Sequence, residues 1–226
     1  MARLYLFAEG QTEQTFAGTV LTPHLTNFEV YMHPPVLIAH AKKKGIVHRG
    51  GGRNYAPMKN DIRRFLAQEK DGNVFFTTMI DLYAIPADFP RLTEAESLRH
   101  LPYERVKALE NAFANDIADC RFVPFIQLHE YEAYLFTDPT QFEYFFSLRE
   151  KQISALKAIA DSYESPELIN DGPHSAPSKR IIAEISDYTN QKAIVGPQML
   201  ELIGLDAIRN KCPHFNSWIS NLENLG

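Results

Sequence analysis

Cysteine is nearly absent: Cys120 and Cys212 are the only two in 226 residues. Two scattered thiols build neither a disulfide framework nor a thiolate zinc site, and a reducing cytoplasm suits such a chain. No apolar run approaches the roughly 20 residues of a membrane-spanning helix, so a membrane partner is not expected. The stretch after Met1 is too brief for a secretory signal. No G-x-x-x-x-G-K-[ST] segment occurs, so any ATP-driven step needs another chain. Internal repeats and low-complexity tracts are missing too. What remains, 45% apolar and 23% charged, is an ordinary globular composition, long enough for one large domain or a domain with an appendage.

Acid is missing from one interval. Between Glu29 and Asp61 there is none, while Lys42, Lys43, Lys44, Arg49, Arg53 and Lys59 all fall there. That interval carries +6, so within a net charge of −5 the rest of the chain carries −11. Gly50, Gly51 and Gly52 make the stretch a loop, and its cations suit a nucleic-acid backbone, bound without sequence readout. A solvated loop without a partner is the competing reading.

Apolar patterning predicts a strand over 3–8, a helix over 12–25, a strand from Phe28 to Met32 and a short apolar piece from Val36 to Ala39. A helix over 57–69, a strand over 73–80, a helix over about 94–119 broken near Pro102, and a strand over 122–128 follow. Strand and helix alternate, which predicts an α/β sandwich around a mainly parallel sheet. Beyond Asp138 the pattern is helical over 139–163, 177–186 and 197–209, with a last piece around Trp218. The division expected is a metal-binding domain over 1–138 and a helical extension over 139–226 packed on it.

Three strand ends carry acids: Glu9 with Glu13, Asp81, and Glu130 with Glu132. In a parallel sheet these ends share one edge, where ligands bind. Grouped carboxylates repel one another and suit a hard divalent cation, Mg²⁺ or Mn²⁺. The competing reading makes Glu13 a first-turn acid favoured by the helix dipole and Glu9 a solvated strand end. Glu130 and Glu132 point the same way on an extended segment but diverge by about 200° on a helix, where only one contributes.

Glu9-Gly10-Gln11-Thr12-Glu13 after a first strand, with Ile80-Asp81 after a later one, resembles the Toprim domain. Arg49-Gly50-Gly51, Thr77 to Tyr83, Asp88-Phe89-Pro90 and Glu130 to Leu135 extend the similarity toward OLD-family Toprim nucleases and small bacterial Toprim-like proteins. The resemblance implies a three-layer sandwich with a mainly parallel sheet of about four strands and a helical C-terminal extension. It implies Glu9, Glu13 and Asp81 as metal ligands, with an acid-base role open to Glu9, and a late lysine near the metals, matched by Lys179. Lys179 and Arg180 on a solvated helix face are the competing reading. Many Toprim domains carry Asp-x-Asp, whereas Asp81-Leu82-Tyr83 has tyrosine second, so Glu132 or Asp88 must replace a lost carboxylate; Glu132 is preferred.

The activity implied is metal-dependent hydrolysis of phosphodiester bonds in DNA or RNA, in a bacterial defence system with an ATPase partner. A degenerate binding subunit and a small-phosphate-ester hydrolase are the rivals.

Overall fold

The computed structural model describes residues 1–38, 42–43, 46–47, 54–169, 172 and 175–226. Its first strand, β1 (Ala2–Ala8), forms because both faces of it are covered. Leu4, Leu6 and Ala8 enter one apolar core, while Phe7 enters a second with Tyr5 against it. Residues of β6 (Val74–Asp81) divide in the same way, Met79 to the first core and Val74, Phe76 and Ile80 to the second. A strand buried on both faces reads as a continuous apolar run, as 3–8 and 73–80 do.

Six strands make this sheet, and every pairing in it is parallel. β1 and β6 lie side by side in the centre. β2 (Val30–Met32) and β3 (Val36–Leu37) share the outer edge of β1, separated by Pro34 and Pro35. β7 (Phe122–Val123) and β8 (Ile126–Gln127) share the outer edge of β6, separated by Pro124. Proline has no N–H to give a ladder and is tolerated at an edge, so each interruption falls on an outer column. The six strands stand in four columns, where the resemblance implies about four strands, and the strand expected over 122–128 is realised in two pieces. A separate antiparallel pair, β4 (Lys42–Lys43) with β5 (Ile46–Val47), stands apart from the sheet.

Helices cover both faces. A helical run begins with α1 (Gln11–Phe16), widens through a π-turn over Ala17–Leu21 and ends as α2 (Thr22–Thr26). Phe16, Leu21 and Leu25 from it fill the first core. α3 (Ala56–Gln68) and, after the short α4 (Leu92–Ala95), α5 (Pro102–Ile117) cover the other face through Ile62, Leu66, Val106, Leu109 and Phe113. The remaining helices are α6 (Glu150–Asp161), α7 (Pro177–Glu184), α8 (Lys192–Ile203), α9 (Leu205–Lys211) and α10 (Pro213–Glu223). Leu156, Ile181, Met199, Phe215 and Trp218 from these share the first core with Leu4 and Leu6. Pro102, Pro177 and Pro213 each open a helix, the position where a missing N–H costs nothing.

The structure refines two helical expectations. The span 139–163 is a 3₁₀ turn over Pro139–Tyr144 followed by α6. The span 197–209 begins earlier, at Lys192, and breaks at Gly204, whose φ of +83° suits glycine.

A buried side-chain bridge ties α10 to the sheet. Trp218 Nε1–H donates to Thr77 Oγ1 (2.9 Å), and that hydroxyl donates to the Val123 carbonyl (2.6 Å). Thr77→Val keeps the shape but strands the buried indole N–H. It is expected to lower unfolding free energy by about 2 kcal/mol, read as a reduced urea midpoint at unchanged slope.

Candidate active site

Because all six strands run parallel, β1, β6 and β8 finish on one edge, and the chemistry-bearing residues lie just past their ends. Glu9 follows β1, and its Oε2 accepts the backbone N–H of Asp81 at the tip of β6 (2.9 Å). Asp81 Oδ1 accepts Gln127 Nε2–H from the tip of β8 (2.7 Å) and the Tyr131 N–H (3.0 Å). Asp81 Oδ2 receives no hydrogen bond from the described residues. Side chains of three adjacent strand ends are thus laced together.

Gly10 turns the chain into α1, and Glu13 reaches back so that its Oε2 accepts the Gly10 N–H (3.0 Å). A Cβ at Gly10 would lie 3.0 Å from that same oxygen, so glycine here lets Glu13 close over the strand end. Glu13 is a first-turn acid of α1, as the helix-dipole reading has it, and it also caps the helix start; its carboxylate is buried in the field of Glu9.

After β8, Glu130 is extended (φ −158°, ψ 164°), and a 3₁₀ helix over Tyr131–Thr137 begins directly behind it. The two acids accordingly take different partners. Glu130 accepts the Ser178 N–H from the first turn of α7 through one oxygen and the Ser178 hydroxyl through the other (3.1 Å). Glu132 pairs with Lys192 at the first position of α8 (2.9 Å).

These acids share one electrostatic field. Burial, then Glu9, then Glu132 push Glu13 up to about 8 against backbone hydrogen bonds that pull it down. Burial raises Asp81 well above the usual carboxylate range, reinforced in order by Glu9, Glu13, Glu132 and Glu130. Glu130 is raised by burial and by Glu132, against the Ser178 hydrogen bonds and the Lys192 charge. The Lys192 ammonium lies against this group of acids through its ion pair with Glu132.

A divalent cation is implied by the family resemblance, and the donor set fits it in kind: five carboxyl groups, oxygen throughout. Among the described residues no three acids, histidines or cysteines stand in a ready coordinating arrangement. Binding an ion therefore requires side chains to turn toward one another.

A family model described as "Domain of unknown function (DUF4276)" matches residues 8–223. The chain belongs to the DUF4276 family. No curated protein matches it. Among solved structures, the C-terminal region of the Xanthomonas campestris pv. campestris OLD protein is similar at 14% identity, over 99% of this chain and 95% of that one, with a TM-score of 0.43.

Other residues singled out in the sequence of this DUF4276 chain fall in varied places. Lys179 lies next to Ser178 on α7, but its side chain is exposed and takes no hydrogen bond or ion pair from the described residues. Lys42 and Lys43 lie on β4; Lys44, Arg49 and Arg53 are outside the described residues. Asp88 is spent elsewhere, its Oδ1 accepting the N–H of Tyr55 at the start of α3 (2.8 Å), so it does not replace a carboxylate in the cluster. Tyr83 is 41% exposed. Cys212 is buried and His214 pairs with Glu110 (3.1 Å), away from any zinc chemistry.

Sequence reasoning did not single out Lys192 or Gln127. A lysine at the first position of a helix opposes the helix dipole, so its presence there is a signal that an anion holds it. That signal was hidden because the apolar pattern places the helix start five residues later.

Proposed function

We propose that this DUF4276 chain is a divalent-metal-dependent nuclease that hydrolyses phosphodiester bonds. The observation carrying this reading is that five acids from separate strand ends lie in one mutually repelling field at the carboxyl edge of a parallel sheet. Folding such a group together opposes stability, and a site that binds a cation explains why the chain retains it. Glu9, Glu13, Asp81, Glu130 and Glu132 are the residues that would hold Mg²⁺ or Mn²⁺. A bound ion supplies Lewis-acid polarisation of a phosphate oxygen and a lowered pKa for bound water.

Residues of the chain supply the rest. Glu9, oriented by the Asp81 N–H, takes the acid-base role toward the attacking water. Lys179, exposed beside the Ser178 that binds Glu130, offers its ammonium to the scissile phosphate. Lys42, Lys43, Lys44, Arg49 and Arg53 track the nucleic-acid backbone, their loss lowering affinity without changing sequence preference. The resemblance to OLD-type nucleases carries the further proposal of an ATPase partner in bacterial defence, in the cytoplasm. No helix among the described residues is long and apolar enough to cross a membrane.

Incubating the purified chain with DNA and RNA in Mn²⁺ or Mg²⁺, beside Glu9→Ala, tests this. Cleavage that needs the ion and falls at least about a hundredfold in the variant is expected. Deleting residues 42–53 should abolish nucleic-acid binding; full turnover of a small phosphate ester after that deletion would point to the phosphohydrolase instead. Tyr83 at the position of a second acid, together with the absence of a ready three-acid arrangement among the described residues, favours a second reading, a catalytically degenerate binding subunit. Ion-dependent nucleic-acid binding without cleavage identifies that case.

A further inference from the structure

Helix α8 delivers a cation to the acidic edge from a closely packed seat. A Cβ added at its Gly196 would lie 3.2 Å from Thr12 Cγ2, 3.3 Å from Tyr131 Cε1 and 3.4 Å from Tyr188 Oη. An added Cβ would make these neighbours give by a few tenths of an ångström, so glycine lets the helix seat closely on α1 and on the 3₁₀ helix that carries Glu132. From that seat Lys192 crosses the Tyr188 ring, its Nζ 6.0 Å from the ring centre, to reach Glu132 Oε1 at 2.9 Å. Glu132 is 9% exposed at its side chain and Lys192 33%, so the pair sits at the mouth of the cluster rather than out in solvent.

An independent feature shows that the packing around this pair is incomplete as it stands. The hydroxyls of Tyr131 and Tyr188 are buried, at 1% and 0% residue exposure, and neither has a hydrogen-bond partner among the described residues. Both lie within the field of Glu13 and Glu132. A buried hydroxyl without a partner is costly. Two of them within the field of the same carboxylates are donors that a second arrangement of those carboxylates would satisfy. Ligand-holding acids are ordinarily steadied by such donors.

Resting on the metal-site reading above, we propose that Lys192 is a tethered counter-ion for the cluster. Its ammonium holds Glu132 while no divalent cation is bound and yields that carboxylate when one enters, so ion and lysine compete for the same oxygen. Lys192 is a positioning residue on this account. It keeps Glu132 aimed at the site, and it sets how tightly the ion binds.

The test is Mn²⁺ binding by the full chain, followed by calorimetry and by the spin-resonance signal of free Mn²⁺, with thermal melts confirming that each variant folds. Lys192→Met is expected to bind Mn²⁺ about 5- to 10-fold more tightly than wild type at low salt, the gain shrinking as salt rises. Lys192→Arg, which keeps the charge, is expected to return affinity to the wild-type value. In a Glu132→Gln background the same Lys192→Met change is expected to gain less than about twofold, since the contested oxygen is gone. Lys192→Gln serves if the methionine variant does not fold. Unchanged or weaker Mn²⁺ binding in Lys192→Met, or in Lys192→Gln where it stands in for it, with Asp81→Asn still impaired, overturns the counter-ion role and leaves the metal site standing. Mn²⁺ binding absent from wild type and Lys192→Met alike overturns both.

Discussion

Asp81→Asn is expected to abolish ion-dependent cleavage while producing a protein that, without divalent cations, melts higher than wild type. Asp81 Oδ1 makes the hydrogen bonds that the fold uses, from Gln127 and from the Tyr131 N–H. Asparagine keeps a carbonyl oxygen for both. What changes is the other oxygen, which becomes an NH₂ group within the field of Glu9 and Glu13, the acids that after burial raise the Asp81 pKa most. The folded chain holds Asp81 protonated at a free-energy cost, and asparagine, neutral at every pH, removes that cost, worth about 1–2 kcal/mol, or about 3–6 °C in Tm for a chain of this length. Activity moves the other way, by about a thousandfold, because the substitution removes a central anionic ligand. Asp88→Asn is the matched control. Asp88 holds the Tyr55 N–H at the start of α3, outside the cluster, so its loss lowers Tm slightly and leaves cleavage intact. If Asp81→Asn cleaves normally, the proposed site is not where the chemistry occurs.

Much of the fold is legible in the sequence because its central strands are apolar on both faces. Leu4 to Ala8 and Val74 to Ile80 have no exposed face to alternate with, and such runs belong inside a parallel sheet. The interrupted edges were harder to read. Pro34, Pro35 and Pro124 divide outer columns into two-strand pieces, and single-sequence patterning cannot tell a broken edge strand from a loop. At the site, Glu9, Glu13 and Asp81 could be named because strand ends of a parallel sheet converge by topology alone. Separation of Glu130 from Glu132 could not, since it depends on whether the chain coils at Tyr131, and that turn is held by the Asp81 carboxylate accepting the Tyr131 N–H. Lys192 depends on distant packing at Gly196, a contact with Thr12 across more than 180 residues that no local pattern encodes.

Stability without divalent cations is expected to fall as pH rises from about 5 to about 8, and added Mg²⁺ or Mn²⁺ is expected to reverse that fall. The sign follows from Glu13, whose folded pKa of about 8 lies above its ordinary value of 4.5. Between those values the folded chain holds a proton that the unfolded chain has released, so each step upward in pH favours unfolding. The contribution is intact below pH 4.5 and gone above about 8. Glu13 alone corresponds to a loss of the order of 4 kcal/mol across that window, a large share of a typical domain's stability. Asp81 and Glu130, raised by the same field, act in the same direction. His214, raised by its hydrogen bond to Glu110, adds a loss of the same sign as pH passes its folded pKa, so wild-type melts alone do not isolate the cluster. Glu13→Gln does isolate it, because glutamine can still accept the Gly10 N–H yet carries no charge at any pH. Melting curves from pH 5 to 9 in EDTA should show Glu13→Gln close to wild type at pH 5 and well above it at pH 8.5. A cation binds the ionised carboxylates in competition with protons, so its stabilising effect on wild type should be small at pH 5 and largest at pH 8.5. A wild-type Tm that rises from pH 5 to 8 in EDTA, or a Glu13→Gln variant that tracks it at every pH, would mean that these carboxylates do not share a field. The reason for placing a metal ion at this edge of the sheet would then be lost.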